Sequence, residues 1–299
     1  MSGTRPGKSA FERAESAIIL STLILLAVVC LQPIVHLAAL SVSDPANVPF
    51  MTGIEIWPQG FDLDIWTFLL THPSVGRGIL NSVGITVVGT LINVVGTALM
   101  AWALSRHWLP GRRIIFLFVL ATIVFEAGLI PDYFVNKKLG LLDTYWSVIF
   151  FGAVNAWYLI ILIRFFQEIP EELVEAAQLD GAGAFRIFWS VVLPLALPAL
   201  ATISLFYLVF HWNEFFRSMI YLSDPDKRPL QVVLRQLVMG GKFGMVGGEA
   251  MNSYTGDGQI NVRQLNAGMI ILTILPILAI YPLILKFFTK GTLSGALKG

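Results

Sequence analysis

Glu175-Ala176-Ala177-Gln178-Leu179-Asp180-Gly181, followed after nine residues by Val191-Val192-Leu193-Pro194, stands between two charge-free runs, residues 145–163 and 187–213. A helix needs about 20 mostly apolar residues to cross a bilayer, and both runs meet that length. The polar segment between them must therefore lie at a membrane surface. Its reading decides whether the chain is a membrane protein.

The rest of the chain repeats the pattern. Hydrophobic residues make up 56% of the sequence and charged ones 13%, against about a quarter charged in soluble domains. A soluble protein of this composition would expose too much apolar surface to stay monodisperse. Six long apolar runs are present: 17–40, 78–104, 114–135, 145–163, 187–213 and 267–285. Five lack charge, and the third holds Glu126 and Asp132. Backbone groups in lipid must bond internally, and runs this long are helices rather than barrel strands. The expectation is an all-α integral membrane protein with six transmembrane helices. The first run exceeds a signal-peptide apolar core of about 7–15 residues, so it is expected to be an uncleaved anchor. Cys30, the single cysteine, lies inside it and supports neither disulfide nor metal site. His36, His72, His107 and His211 are scattered over separate segments. A net charge of +1 gives no reason to expect nucleic acid as a partner.

Lys and Arg set the orientation. With the N-terminus inside, cytoplasmic segments hold Arg5, Lys8, Arg13, Arg106, Arg112, Arg113, Arg164, Arg186, Lys286, Lys290 and Lys298, eleven of twenty basic residues. The short 106–113 turn is the clearest marker. Both termini are thus expected in the cytoplasm. The expected organisation is a leader, first span and first outer loop over 1–77, a membrane domain over 78–288, and a cytoplasmic tail over 289–299. Within the domain fall a cytoplasmic loop at 167–190 and a long outer loop at 223–266, which contains the glycine-rich 240–248.

Pro170 suits a helix start, with Glu171 and Glu172 in the first turn. A short surface helix is therefore expected over 170–179, ended near Gly181. Ala176 and Ala177 give it a small-residue face and Glu175 an acceptor at the edge. Such a compact knob can carry push and pull to a partner. Pro194 and Pro198 each remove a helix hydrogen bond, either as a tolerated kink or as a bend that lets the helix move.

The stretch from Glu175 to Pro194 resembles the EAA loop of binding-protein-dependent ABC importers, with Val191 in the place of an isoleucine. Phe288-Thr289-Lys290-Gly291 and Gly295-Ala296-Leu297-Lys298-Gly299 resemble the ending of sugar-importer permeases. Leu80-Asn81-Ser82, Ala103-Leu104-Ser105-Arg106, Leu109-Pro110-Gly111-Arg112 and Gly128-Leu129-Ile130-Pro131 extend the likeness to the complex-carbohydrate branch of maltose-type permeases. The resemblance implies a type I importer permease that docks Glu175, Ala176, Ala177, Asp180 and Gly181 against a separate ATPase. It also implies a tail that reaches the ATPases through Lys290, Gly291 and Lys298. Implied partners are a second permease, two ATPase subunits and an extracytoplasmic substrate-binding protein, with ATP and magnesium held by the ATPase and no cofactor on this chain. The implied cargo is an oligosaccharide, of alginate or pectin type.

Four residues are candidates for the transport path. Glu126 reads as a carboxylate within the third span, where insertion costs about 2.5–3.5 kcal/mol. Trp212, Asn213 and Glu214, next to His211, offer an apolar ring and polar groups of the kind a sugar needs. Glu126 and Glu214 would repel an anionic cargo if they lined the path. Other readings are a proton- or ion-coupled transporter using Glu126 and a membrane scaffold without transport. Gly3-Thr4-Arg5-Pro6-Gly7-Lys8-Ser9 imitates a phosphate-binding loop but is one residue short and follows no strand.

Overall fold

Among the described residues of the computed structural model, 10–243 and 261–296, every regular element is helical. The helices are α1 (Ala10–Ser41), α2 (Asp64–Thr71), α3 (Pro73–Ser105), α4 (Arg112–Val124), α5 (Leu129–Lys138), α6 (Trp146–Ile149) and α7 (Ala156–Gln167). There follow α8 (Glu171–Leu179), α9 (Ala184–Leu195), α10 (Leu197–Trp212), α11 (Phe216–Tyr221), α12 (Leu230–Phe243) and α13 (Val262–Ala296). Three of them, α1, α3 and α13, contain single spans long and apolar enough to cross a bilayer, and α9 with α10 makes a fourth if the pair is one span.

Two expected spans are not single helices. The run 114–135 breaks at 125–128, so Glu126 lies between α4 and α5 instead of inside a helix. α4 ends where Phe125 turns extended at φ −114°, ψ 97°, and α5 restarts from Gly128 at φ 82°, ψ 173°, a region open essentially to glycine alone. The run 145–163 is divided because Asn155 caps a new helix. Its Oδ1 accepts from the amides of Trp157 at 3.0 Å and Tyr158 at 3.3 Å, which satisfies two orphan donors of α7. Both runs are long enough and apolar enough to read as single spans.

The fifth run bends by 83° between α9 and α10. Pro198 has no N–H for the carbonyl of Pro194, and Phe188–Val192 forms a π-helical turn just before the break. The proline pair thus makes a sharp corner, well beyond a tolerated kink.

The chain forms two units. The first comprises 1–71 and 237–274. There Gln264 Nε2 donates to the Ser43 carbonyl at 2.7 Å, and Arg263 reaches the carbonyls of Val48 at 3.4 Å and Met51 at 3.2 Å. Glu55 accepts from the amides of Thr52, Gly53 and Ile54. These backbone bonds hold its carboxyl down at about 2. The expected first outer loop is therefore an organised structure carrying α2 and a 3-10 turn at Val48–Phe50.

The second unit comprises 72–236 and 275–299. Its core joins Ala98, Ala101 and Leu104 of α3, Leu159, Leu162 and Phe166 of α7, and Ile203 and Tyr207 of α10. The expected outer loop 223–266 also proves partly helical. Pro225–Lys227 is a 3-10 turn and α12 carries Gly240 and Gly241 inside it, while 244–248 fall outside the described residues. Its N-terminal part is tied to α3: the Leu230 amide donates to Ser82 Oγ at 2.8 Å, and Asn81 Nδ2 donates to the carbonyls of Asp226 and Arg228. Asp143, at φ 59°, accepts from the amides of Ser223 and Asp224 and pairs with Lys227 Nζ at 2.8 Å.

Candidate functional site

Helix α8 forms where expected, one residue shorter at its start. Pro170 is the cap residue, extended at ψ 130°, and Glu171 and Glu172 occupy the first turn, where carboxylates favour the positive end of the helix. At the other end Gly181 N donates to the Gln178 carbonyl and Ala182 N to the Ala177 carbonyl, both at 2.9 Å. This is the Schellman pattern, and it requires the left-handed residue that Gly181, at φ +79°, supplies.

The helix is fixed from one side. Val174 is its one buried residue and joins the core of α3, α4, α7 and α10, with Ala177 packed against the same core. Ile169, just before the helix, is buried in that core too. Glu175, Ala176 and Asp180 are exposed. The small-residue face is thus split: Ala177 faces inward and Ala176 outward. Leu179, 89% exposed, and Phe185, 70% exposed, stand on the open side. Sequence reasoning passed over both. Their signal was a large apolar residue next to a helix-ending glycine, in a segment otherwise polar.

Trp212 is buried, Asn213 exposed and Glu126 exposed in its break. Glu214 accepts from the Arg217 amide at 2.8 Å and meets the Arg217 guanidinium at 3.4 Å. That guanidinium lies 3.2 Å from the Phe151 ring centroid. The carboxylate is a helix cap and an ion-pair partner, not a free acceptor.

A polar network missed by the sequence reading lies between α3 and α10. Asn93 Nδ2 is 3.0 Å from His211 Nε2, Thr97 Oγ1 is 2.7 Å from the Tyr207 hydroxyl, and that hydroxyl accepts from the Asn155 amide at 2.9 Å. All four side chains are buried. Gly89 makes room for the imidazole, since a Cβ there would stand 2.6 Å from His211 Nε2. Ser82, Thr86, Asn93 and Thr97 follow one face of α3 at helical spacing, a stripe hidden by reading 78–104 only as charge-free.

The tail residues Lys290 and Gly291 fall on the backbone of α13, and Lys298 lies outside the described residues.

Residues 85–291 match the family model described as "Binding-protein-dependent transport system inner membrane component". The chain is 41% identical over 288 residues to the polygalacturonan/rhamnogalacturonan transport system permease protein YtcP of Bacillus subtilis (strain 168), covering 96% of this chain and 99% of the relative. It is 40% identical over 244 residues to protein LplC of the same organism, covering 82% and 81%. Among solved structures it resembles a chain of a bacterial ABC transporter involved in the import of the acidic polysaccharide alginate. The TM-score is 0.86, at 29% identity, covering 95% of this chain and 100% of that one. Like these permease subunits it is not an enzyme, and ATP hydrolysis is the task of a separate ATPase. The chain belongs to the inner membrane components of binding-protein-dependent transport systems.

Proposed function

We propose that this chain is one of two permease subunits in an ATP-driven importer of acidic oligosaccharides. The observation that carries the reading is α8: a short helix closed by Gly181, anchored in the core by Val174 and Ala177, with its other residues exposed. That form suits a knob received by an ATPase cleft, with Glu175, Ala176, Asp180, Leu179 and Phe185 available to the partner. ATP and magnesium would be bound by the ATPase pair, and a substrate-binding protein would deliver the cargo from the other side.

The proposed topology is six crossings of the cytoplasmic membrane, with both termini and α8 inside. Two crossings would be built from broken helices, α4 with α5 and α6 with α7. Non-helical backbone at membrane depth is tolerated where protein covers it, and here the second permease would cover it.

Uronate-type cargo is supported by the substrates named for the relatives. The objection from Glu214 weakens because Arg217 neutralises it. Asn213 stays a candidate for sugar contact. Trp212, buried within this chain, stays a candidate for lining the path.

The test is uptake of galacturonate and mannuronate oligosaccharides by proteoliposomes holding the full complex. Import should need ATP and the binding protein and should ignore ionophores. Uptake by the single chain driven by a proton gradient would establish the coupled-transporter reading instead.

A further inference from the structure

A cleft of about 190 Å³ opens between the first turn of α4 and the last turn of α7. Arg112, Arg113, Arg164 and Gln167 line it, over an apolar floor of Phe116, Ile160 and Ile163. Arg112 is held in place: its Nε donates to the Leu104 carbonyl at 2.7 Å, and its Nη1 lies 3.2 Å from His107 Nδ1. Among the described residues none of the three arginines forms an ion pair. Three arginines therefore line one cleft, Arg112 and Arg113 at the positive end of α4, where cations are unfavourable, and Arg164 at the negative end of α7. An anion is the natural complement.

We infer that this cleft binds a phosphoryl anion, and that its occupant is the headgroup of an anionic phospholipid. Guanidinium forks match phosphate oxygens in paired hydrogen bonds. The volume falls below the roughly 300–1,000 Å³ of sites that enclose drug-sized ligands, so the cleft suits a single headgroup-sized anion. The floor decides between lipid and free phosphate. Phe116, Ile160 and Ile163 give a free ion nothing, and the flanking surface continues apolar through exposed Leu117 and Ile161. A lipid places its phosphate among the arginines and its chains along that surface. The site rests on the cytoplasmic placement proposed above, where anionic headgroups attract basic residues.

The experiment is native mass spectrometry of the complex, purified through this chain from phosphatidylcholine nanodiscs with and without phosphatidylglycerol. Native protein should retain phosphatidylglycerol over phosphatidylcholine. At about 1 kcal/mol per basic residue near a charged surface, Arg113→Gln and Arg164→Gln should each lower retention about fivefold, and the pair about thirtyfold. Arg113→Lys with Arg164→Lys, which keeps the charge, should lose less than the Gln pair. Equal retention in native and Gln-substituted protein overturns the site. Displacement of the lipid by millimolar inorganic phosphate overturns the lipid assignment. If the Gln pair does not assemble, the native lipid preference and phosphate competition still decide. Labelling of Trp108→Cys by an impermeant maleimide reports the side independently: reaction from outside defeats the topology, while lipid retention judges the cleft.

Discussion

Gly181 separates two ways in which α8 could fail. A Cβ at this position would meet nothing within 4 Å, so substitution by alanine creates no clash inside the chain. The whole effect comes from the backbone, held at φ +79°. Placing an L-residue there costs about 1–2 kcal/mol, and asparagine, which bonds locally, less. One to two kcal/mol changes a population ratio by about five- to thirtyfold. A helix of nine residues has little propensity to spare, since isolated helices under about 12–15 residues are marginal. Hydrogen exchange over 171–183 in the nucleotide-free complex reads this directly. Gly181→Ala should raise exchange of the Gly181-to-Ala182 closing amides by that factor, Gly181→Val further, and Gly181→Asn least. Transport per ATP hydrolysed should fall in the same order, with membrane insertion unchanged. Exchange in Gly181→Val indistinguishable from native protein would refute the capping argument. A loss of coupling equal for Ala, Asn and Val would move the cause to contact with the ATPase.

Three further outcomes follow from the geometry. Gly89→Ala drives a Cβ into the His211 ring and should cost about 1–3 kcal/mol by overpacking; in thermal melts of purified protein, His211→Ser in the same background should restore much of the loss, and a native-like melt of the single variant counts against the packing. Glu55 titrates at about 2 in the fold against 4.5 ordinarily, so its contribution is present above about 4.5 and disappears as pH falls towards about 2. Exchange at Thr52–Ile54 should stay slow down to that window, and Glu55→Gln should abolish the pH dependence; a profile unchanged by the substitution would count against the carboxylate. Asp143→Ala removes the acceptor for the Ser223 and Asp224 amides as well as the Lys227 partner, whereas Asp143→Asn keeps an acceptor and tolerates φ 59°. Limited proteolysis over 221–229 should therefore be faster in Ala than in Asn, and equal rates would defeat the argument.

Membrane class, α8 and its glycine stop were legible because each rests on a local pattern: apolar length, Pro170 with two glutamates, and Gly181 after Leu179. What escaped depends on backbone events inside apolar runs. Gly128 and Asn155 mark breaks in runs that count as single spans by length, although Glu126 and Asn155 themselves are polar. The Asn93–His211 and Thr97–Tyr207 pairs were hidden for another reason. Their partners lie over a hundred residues apart, and only packing of α3 on α10 brings them together. The Arg217 partner of Glu214 went unseen because that guanidinium comes from the start of the next helix, past an apparent span end.

Val174 as the sole buried side chain of α8 has a mechanical meaning. Ala177 packs more shallowly against the same core, so the helix is seated along one edge with the valine as its deep contact. With an ATPase gripping α8 as proposed, that valine is the socket through which the pull would reach α3, α7 and α10. Shortening the socket by Val174→Ala would leave slack in the linkage, and the stroke would begin late.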